Sequence, residues 1–311
     1  MAAPVQHVAL IGLGLIGSSI ARAVRKFLPD VRLSAFDLDE AVRQRALELG
    51  LADVVADQPG KAVAGADLVI LCVPVGSMKA AAESVAEHLL PAALVSDVGS
   101  SKAAVAALLR EALPHASIVP AHPVAGTENS GPDAGFAELF TNRWCILTPG
   151  EKAKAEDVRK LATFWTALGA RAEIMDAAHH DLVLAVTSHI PHLIAFAMVG
   201  TASDLERVTQ SEVITYSGGG FRDFTRIAAS DPTMWRDIFL TNKEAVLDML
   251  QRFTEDLAHL QRAIRREDGD TLLNLFTRAR AIRRGIVEQG QDIAIAEFGR
   301  RFAAESDRIS Q

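Results

Sequence analysis

Cysteine is nearly absent: Cys72 and Cys145 are the only two in 311 residues. Both sit inside apolar runs, so they make no disulfide framework and behave as small hydrophobes, which suits a reducing cytoplasm. Long apolar runs are also missing. No segment reaches about 18 uninterrupted apolar residues, so no membrane span is predicted. The first residues carry no basic segment followed by an apolar stretch, so no export signal is predicted either. An excess of positive charge is lacking. The net charge is −7 and the isoelectric point about 5.7, which argues against nucleic acid or an anionic membrane as the main partner. The arginine-rich stretches 262–266 and 278–284 read as solvated helix faces. Internal repeats and low-complexity segments are absent, and after residue 176 there is one lysine, Lys243.

What is present is an ordinary globular composition, 49% hydrophobic and 23% charged, at a length that predicts about two domains. In the first half short apolar runs alternate with amphipathic stretches. Runs at 8–11, 31–36, 67–73, 94–98, 117–121, 144–147 and 172–175 read as strands; 15–27, 40–49, 101–112 and 153–168 read as helices. That alternation implies a parallel sheet covered on both faces. After residue 176 strand signals vanish. Val246, Leu250, Phe253, Leu257, Leu260 and Ile264 form a helical stripe, and Leu272, Leu275, Ala279, Ile282 and Ile286 form another after the turn at 267–270. The expected architecture is an α/β Rossmann-like dinucleotide-binding domain over 1–175, followed by an all-α substrate and dimerisation domain over 176–311. The apolar stripes exceed what the second half can bury by itself, so a homodimer is predicted.

Gly12-Leu13-Gly14-Leu15-Ile16-Gly17 is a G-x-G-x-x-G motif between the first strand and the first helix. Gly12 permits the tight turn, Gly14 lets the backbone approach a pyrophosphate, and Gly17 lets helix pack on strand. The helix N-terminus adds free N–H groups for the phosphates. Asp37 lies 20 residues beyond Gly17, after the second strand. A carboxylate there bonds the ribose hydroxyls and repels a 2′-phosphate, favouring NAD over NADP; Asp39 is a second candidate for that role. Val73 and Pro74 end the strand that follows and are expected to flank the cofactor.

Ligands of such sheets bind outside the carboxyl ends of the strands. Three loops qualify: 72–76, 97–102 and the stretch 121–135, AHPVAGTENSGPDAG. The last places His122 at the end of an apolar run, ahead of glycines and small polar residues that fill no core. An imidazole at the crevice takes a proton from a substrate hydroxyl while hydride leaves for nicotinamide. In the second half, His189 and His192 share a helix face around Pro191, which breaks or kinks that helix. Substrate contact is favoured over zinc, because no third ligand is evident. Three consecutive glycines, 218–220, precede Arg222 and Arg226. Either guanidinium suits a carboxylate clamp. Arg226 is favoured as inward-facing, because Phe221, Phe224 and Ile227 bracket it.

These segments together resemble the prephenate/arogenate (cyclohexadienyl) dehydrogenases of tyrosine biosynthesis. The resemblance runs through GLGLIGSS, FDLD, CVPV, SDVGSSK, HPVAGTENSG, LAVTSHIPH and GGGFRDFTRIAASDPTMWRDIF, over nearly the whole chain. It implies oxidative decarboxylation of prephenate to 4-hydroxyphenylpyruvate, or of arogenate to tyrosine, with reduction of the nicotinamide. By the same resemblance His122 accepts the hydrogen bond of the ring hydroxyl and Ser100 supports both. Arg226 binds the ring carboxylate, His192 lies near the substrate side chain, and Thr127 and Trp235 line the site. Prephenate and arogenate stay undivided, with Glu128 and Asp223 as unranked candidates for an ammonium site and Lys102 without a role. Two other readings compete with this one. A β-hydroxyacid dehydrogenase centres catalysis on a lysine of its helical half, which here holds only Lys243. A non-enzymatic nicotinamide sensor has no use for His122, Ser100 and Arg226 together.

Overall fold

The computed structural model describes residues 4–127, 129–209 and 215–288; Glu128 lies outside them. The chain forms two compact units, Met1–Met249 and Leu250–Gln311.

The first unit is built on β1 (His7–Ile11), β2 (Arg32–Phe36), β3 (Val54–Val55), β4 (Leu68–Leu71), β5 (Leu94–Asp97) and β6 (Ser117–Ile118). They form one parallel sheet in the order 3-2-1-4-5-6. The crossovers carry α1 (Leu15–Phe27), α2 (Glu40–Glu48), α3 (Pro59–Val63), α4 (Met78–Val85) and α5 (Ala103–Ala112). β1, β4 and β5 are buried along their whole length, as a sheet covered on both faces demands. One apolar layer joins Val8, Leu10, Ile20, Val24 and Leu33; the opposite layer joins Ala9, Ile11, Val69, Leu71, Val95 and Leu109. Each fully buried Leu, Ile or Val contributes about 1.5–3 kcal/mol over its exposed state. The strand order reverses between β1 and β4, which opens the crevice where such sheets take their ligands.

The run at 117–121, expected as one strand, is two. β6 ends at Ile118, and the chain turns at Val119 and Pro120 into β7 (Ala121–Pro123). Pro120 has no N–H to give a ladder, so the strand cannot continue in the same sheet. β7 pairs antiparallel with β8 (Trp144–Leu147), and β8 parallel with β9 (Arg171–Ile174), as a second, three-stranded sheet. α6 (Ala155–Ala167) carries Leu161, Phe164 and Trp165 into the same core layer as α1. The single parallel series expected through residue 175 is therefore replaced by two sheets.

From Ala177 onward all described regular structure is helical. α7 (Ala177–Leu184), a π-helical turn at Ala185–His189 and α8 (Ile190–Thr209) follow one another without a break. Pro191 therefore falls inside a continuous helix that it does not break, and its missing N–H removes one bond of the ladder next to the π-turn. The stretch Ala177–Glu206 contains an 18-residue window with a mean hydropathy of 1.9, of which 28% is buried. By length and composition alone it is long and apolar enough to cross a membrane, although polar residues interrupt its apolar run. α9 (Gly219–Thr225) and a 3-10 turn at Arg226–Ala229 lead to α10 (Pro232–Thr241), whose Trp235 and Ile238 enter the second core layer. The boundary expected at 175/176 lies inside this unit, just ahead of α7.

α11 (Lys243–Arg265) begins in the first unit and runs into the second; α12 (Gly269–Glu288) belongs to the second. Glu267, at φ 55°, makes the turn between them. Leu257, Ile264, Leu273, Phe276 and Ile282 are exposed on these helices.

Candidate active site

The glycine loop between β1 and α1 meets the demands of a dinucleotide. Gly12 has φ +100°, and a Cβ there would stand 2.6 Å from the carbonyl oxygen of Cys72. A Cβ on Gly17 would stand 2.0 Å from the carbonyl oxygen of Gly12. At Gly14 nothing lies within 4 Å, so the backbone there is open to a ligand. Leu15 and Ile16 open α1, and Leu13 is fully buried. The Asp37 carboxylate, at the end of β2, accepts the Leu13 N–H at 2.7 Å and the Asp39 N–H at 3.0 Å. Asp39 caps α2 by accepting the Ala41 N–H at 2.8 Å. That leaves Asp37 as the carboxylate tied to the glycine loop. Val73 lies against Gly12, and Pro74 is exposed beyond β4. This cradle fits a dinucleotide: an open backbone at Gly14, a helix N-terminus behind it, and an acid at the ribose end.

His122 stands in the middle of β7, buried, rather than in a loop beyond a strand of the large sheet. Its Nδ1 is 2.9 Å from Nε2 of His180 on α7, and His180 Nδ1 is 2.8 Å from Oδ1 of Asp181. Asp181 also accepts the N–H groups of Lys102 at 2.7 Å and Ala103 at 2.9 Å. Burial pushes the His122 pKa well below the ordinary histidine value, and His180, Lys102 and His189 add to that. Burial works upward on Asp181, but the bonds from His180 and from the two backbone N–H groups outweigh it and hold the carboxyl below its usual range. Lys102 is wholly buried, its ammonium on the Asp97 carboxylate and on the Ala121 carbonyl oxygen at 2.8 Å. Thus β5, β7, α5 and α7 meet at His122.

The helical wall carries His189, His192 and Trp235. The His192 ring stacks on Trp235 with centroids 3.7 Å apart, and its Nδ1 donates to the Ser188 carbonyl at 2.9 Å. His189 lies edge-on to the same tryptophan, and its Nδ1 meets the Asn242 amide at 3.1 Å. The two histidines thus share Trp235 but have different hydrogen-bond partners. The π-turn that ends at His189 is a feature that recurs at functional sites. Ser100 is half-buried on the loop after β5, but among the described residues the hydrogen bond of His122 runs to His180 and not to the Ser100 hydroxyl. Thr127 is half-buried, its hydroxyl accepting the Asn129 N–H at 3.2 Å. Arg226 is exposed, not inward-facing as its apolar neighbours suggested. α9 buries no residue in the single chain, so Phe224 offers it no interior to face. The Arg226 charge still reaches His192, lowering its pKa alongside burial. Arg222 and Asp223 are exposed too.

Burial lowers the His189 pKa to about 4, with Asp181 pulling the other way. The unfolded chain therefore takes up a proton near 6.5 that the folded chain refuses until about 4. Stability is full above pH 6.5 and is lost as pH falls toward 4, on the order of 3 kcal/mol from this group. Urea unfolding at pH 7.5 and 4.5 should show that loss. His189→Gln should show distinctly less of it, and an equal loss would remove His189 as its source.

A doubly wound glycine-loop sheet joined to helices, with a buried imidazole at their meeting point, defines a two-part dinucleotide-dependent dehydrogenase. A family model described as prephenate dehydrogenase, nucleotide-binding domain, matches residues 20–174, and one described as prephenate dehydrogenase, dimerization domain, matches 176–278. The chain is 48% identical over 278 residues to the cyclohexadienyl dehydrogenase of Zymomonas mobilis, covering 89% of this chain and 95% of that one. The prephenate dehydrogenase of Aquifex aeolicus, solved with hydroxyphenyl propionate and NAD+, superposes with a TM-score of 0.85 at 33% identity, over 90% of this chain and 98% of that one. The Synechocystis arogenate dehydrogenase superposes with a TM-score of 0.75 at 26% identity, over 90% and 99%. The protein belongs to the prephenate dehydrogenase family.

Proposed function

We propose that the protein is a cytoplasmic, homodimeric, NAD-dependent dehydrogenase of tyrosine biosynthesis. It converts prephenate to 4-hydroxyphenylpyruvate, arogenate to tyrosine, or both. The observation that carries this reading is His122: a buried imidazole, one nitrogen engaged by His180, in a chain 48% identical to a cyclohexadienyl dehydrogenase. Residues 12–17 and Asp37 hold the dinucleotide, with Val73 and Pro74 beside it. NAD supplies the hydride acceptor when bound. His122 accepts the proton of the ring hydroxyl as that carbon is oxidised, and Ser100 supports the hydroxyl. The C–C bond to the ring carboxylate then breaks, carbon dioxide leaves, and its electron pair aromatises the ring. The phenolate takes its proton back from His122. Arg226 holds the ring carboxylate without overstabilising a charge that disappears in the reaction. His192, His189, Trp235 and Thr127 line the pocket.

We place the functional division at 175/176, with the exposed apolar surface of 177–206 as part of the face a second copy covers. Leu182, Val186, Met198 and Leu205 are the exposed residues that support this. The test is reduction of NAD and NADP by purified protein with prephenate and with arogenate. Turnover with NAD well above that with NADP is expected for at least one substrate. Folded protein that binds NAD and turns over neither substrate would refute the reading.

A further inference from the structure

We propose that Asp181 and His180 form a relay that fixes the tautomer of His122, so that the base presents a bare Nε2 to the substrate. The proposal rests on the reading of His122 as the base. It follows from counting donors along one buried chain of groups. The Asp181 carboxylate can only accept. It is held in place by the Lys102 and Ala103 N–H groups at the start of α5, at 2.7 and 2.9 Å. His180 Nδ1, at 2.8 Å from Asp181 Oδ1, therefore carries a proton. A neutral imidazole protonated at Nδ1 has its lone pair on Nε2. That lone pair faces His122 Nδ1 at 2.9 Å, so His122 Nδ1 carries the donated N–H and its own lone pair goes to Nε2. The opposite tautomer of His122 would set two lone pairs against each other at that distance. His180 is fully buried, so water cannot take its place.

The anchoring is rigid at both ends. Asp181 is bound to α5 through its side chain, and its backbone carbonyl accepts from the Asn242 amide at 2.8 Å. The other titratable groups beside His122 are Lys102 and His189. The Lys102 ammonium is engaged by Asp97 and the Ala121 carbonyl, and His189 Nδ1 by Asn242. When the substrate hydroxyl gives its proton to Nε2, no other proton has to move. The Nδ1–H of the new imidazolium already points at His180, and the Asp181 carboxylate sits one ring beyond it. Outer partners of this kind fix ring orientation and tautomer. His180 and Asp181 are thus positioning residues, acting through His122.

The test is ¹⁵N NMR of the full chain with labelled histidine, without ligands at neutral pH, with His122→Asn identifying the His122 signals. A protonated Nδ1 and a bare Nε2 on His122 are expected. His180→Phe, which cannot accept, should lose this preference and lower kcat by about 10–100-fold, with KM and NAD affinity within about twofold. His180→Gln, whose carbonyl can accept from Nδ1–H, should recover part of the loss. A protonated Nε2 on wild-type His122, or an unchanged kcat in His180→Phe, overturns the relay. Should His180→Phe fail to fold, the wild-type spectrum and His180→Gln decide it. Because the spectrum needs no substrate, failure of the relay is separable from failure of the proposed reaction.

Discussion

His122→Asn is expected to lower kcat by about 10²–10⁴-fold, the contribution of a positioned general base, while leaving NAD affinity unchanged. The two effects separate because the residues expected to hold the dinucleotide, 12–17 and Asp37, follow β1 and β2 of the large sheet, whereas His122 is on the second sheet. Asparagine keeps a polar group beside His180, so the buried imidazole is not left without a neighbour. The pH profile provides a second readout. The base is held well below the ordinary histidine range by burial, then by His180, Lys102 and His189. Wild-type kcat/KM should therefore stay level as pH falls through 6.5 and decline only further into acid. In His122→Asn that acid limb should disappear. Near wild-type turnover in the variant would take His122 out of the mechanism.

The second large effect is on stability. Lys102 and Asp97 are both wholly buried and form an ion pair. The lysine adds a bond to the Ala121 carbonyl, one residue before His122. Burial draws the Lys102 pKa below the ordinary lysine value, while Asp97 and Asp181 oppose it. Among the described residues Asp97 Oδ1 has no hydrogen-bond partner, and Oδ2 keeps only the Gly99 N–H at 2.8 Å once the ammonium is gone. Lys102→Met should therefore cost about 3–5 kcal/mol, the penalty for breaking a buried pair from one side. In a chain of this size that is a fall in Tm of about 10 °C. Adding Asp97→Asn should recover much of the loss, since removing both charges together is often near neutral. A single variant with unchanged Tm, or a double variant no better than the single, would contradict this account.

Several parts of the molecule were legible in the sequence because each is set by neighbours along the chain. The glycine loop needs only local backbone sterics, and the structure gives Gly12 a positive φ and Gly17 no room for a Cβ. Five of the six strands of the large sheet were visible as apolar runs, because a sheet covered on both faces leaves no alternation to confuse them; β3, two residues long, was too short to show. The break at Pro120 was hidden inside such a run. A missing N–H was readable there, but not that the chain would change sheets. That mistake put His122 at a strand's end when it lies within a short strand of the second sheet.

The relay was harder to see. His180 and Asp181 adjoin in sequence, and their partners His122 and Lys102 are 58 and 79 residues away. Only the meeting of α7 with α5 and β7 joins them. The available signal was a His-His-Asp triplet ahead of the 184–192 motif, of which the helix buries His180 and Asp181 and leaves His179 exposed. Arg226 is the opposite case, exposed in the single chain. Apolar neighbours were read as an interior, but α9 has none within one chain. The compact units also divide at 249/250, inside α11, where no composition shift marks the place.

The π-turn at Ala185–His189 has a consequence for how this helical stretch tolerates change in length. An α-helix advances about 100° per residue, and a π-turn carries one residue more than the α-helix around it. The buried face of α7, His180, Asp181 and Leu184, is continued after the turn by His189 and Ile190, while Ser188 steps aside. The turn thus absorbs one extra residue, so that the segment that holds the relay and the segment that carries His192 keep the shared buried face of an unbroken α-helix. Losing a single residue there would let the helix close as regular α with the two segments still in step. An insertion there should be borne far less well, because the turn already holds one extra residue and a second would rotate the two histidine-bearing faces about 100° against each other.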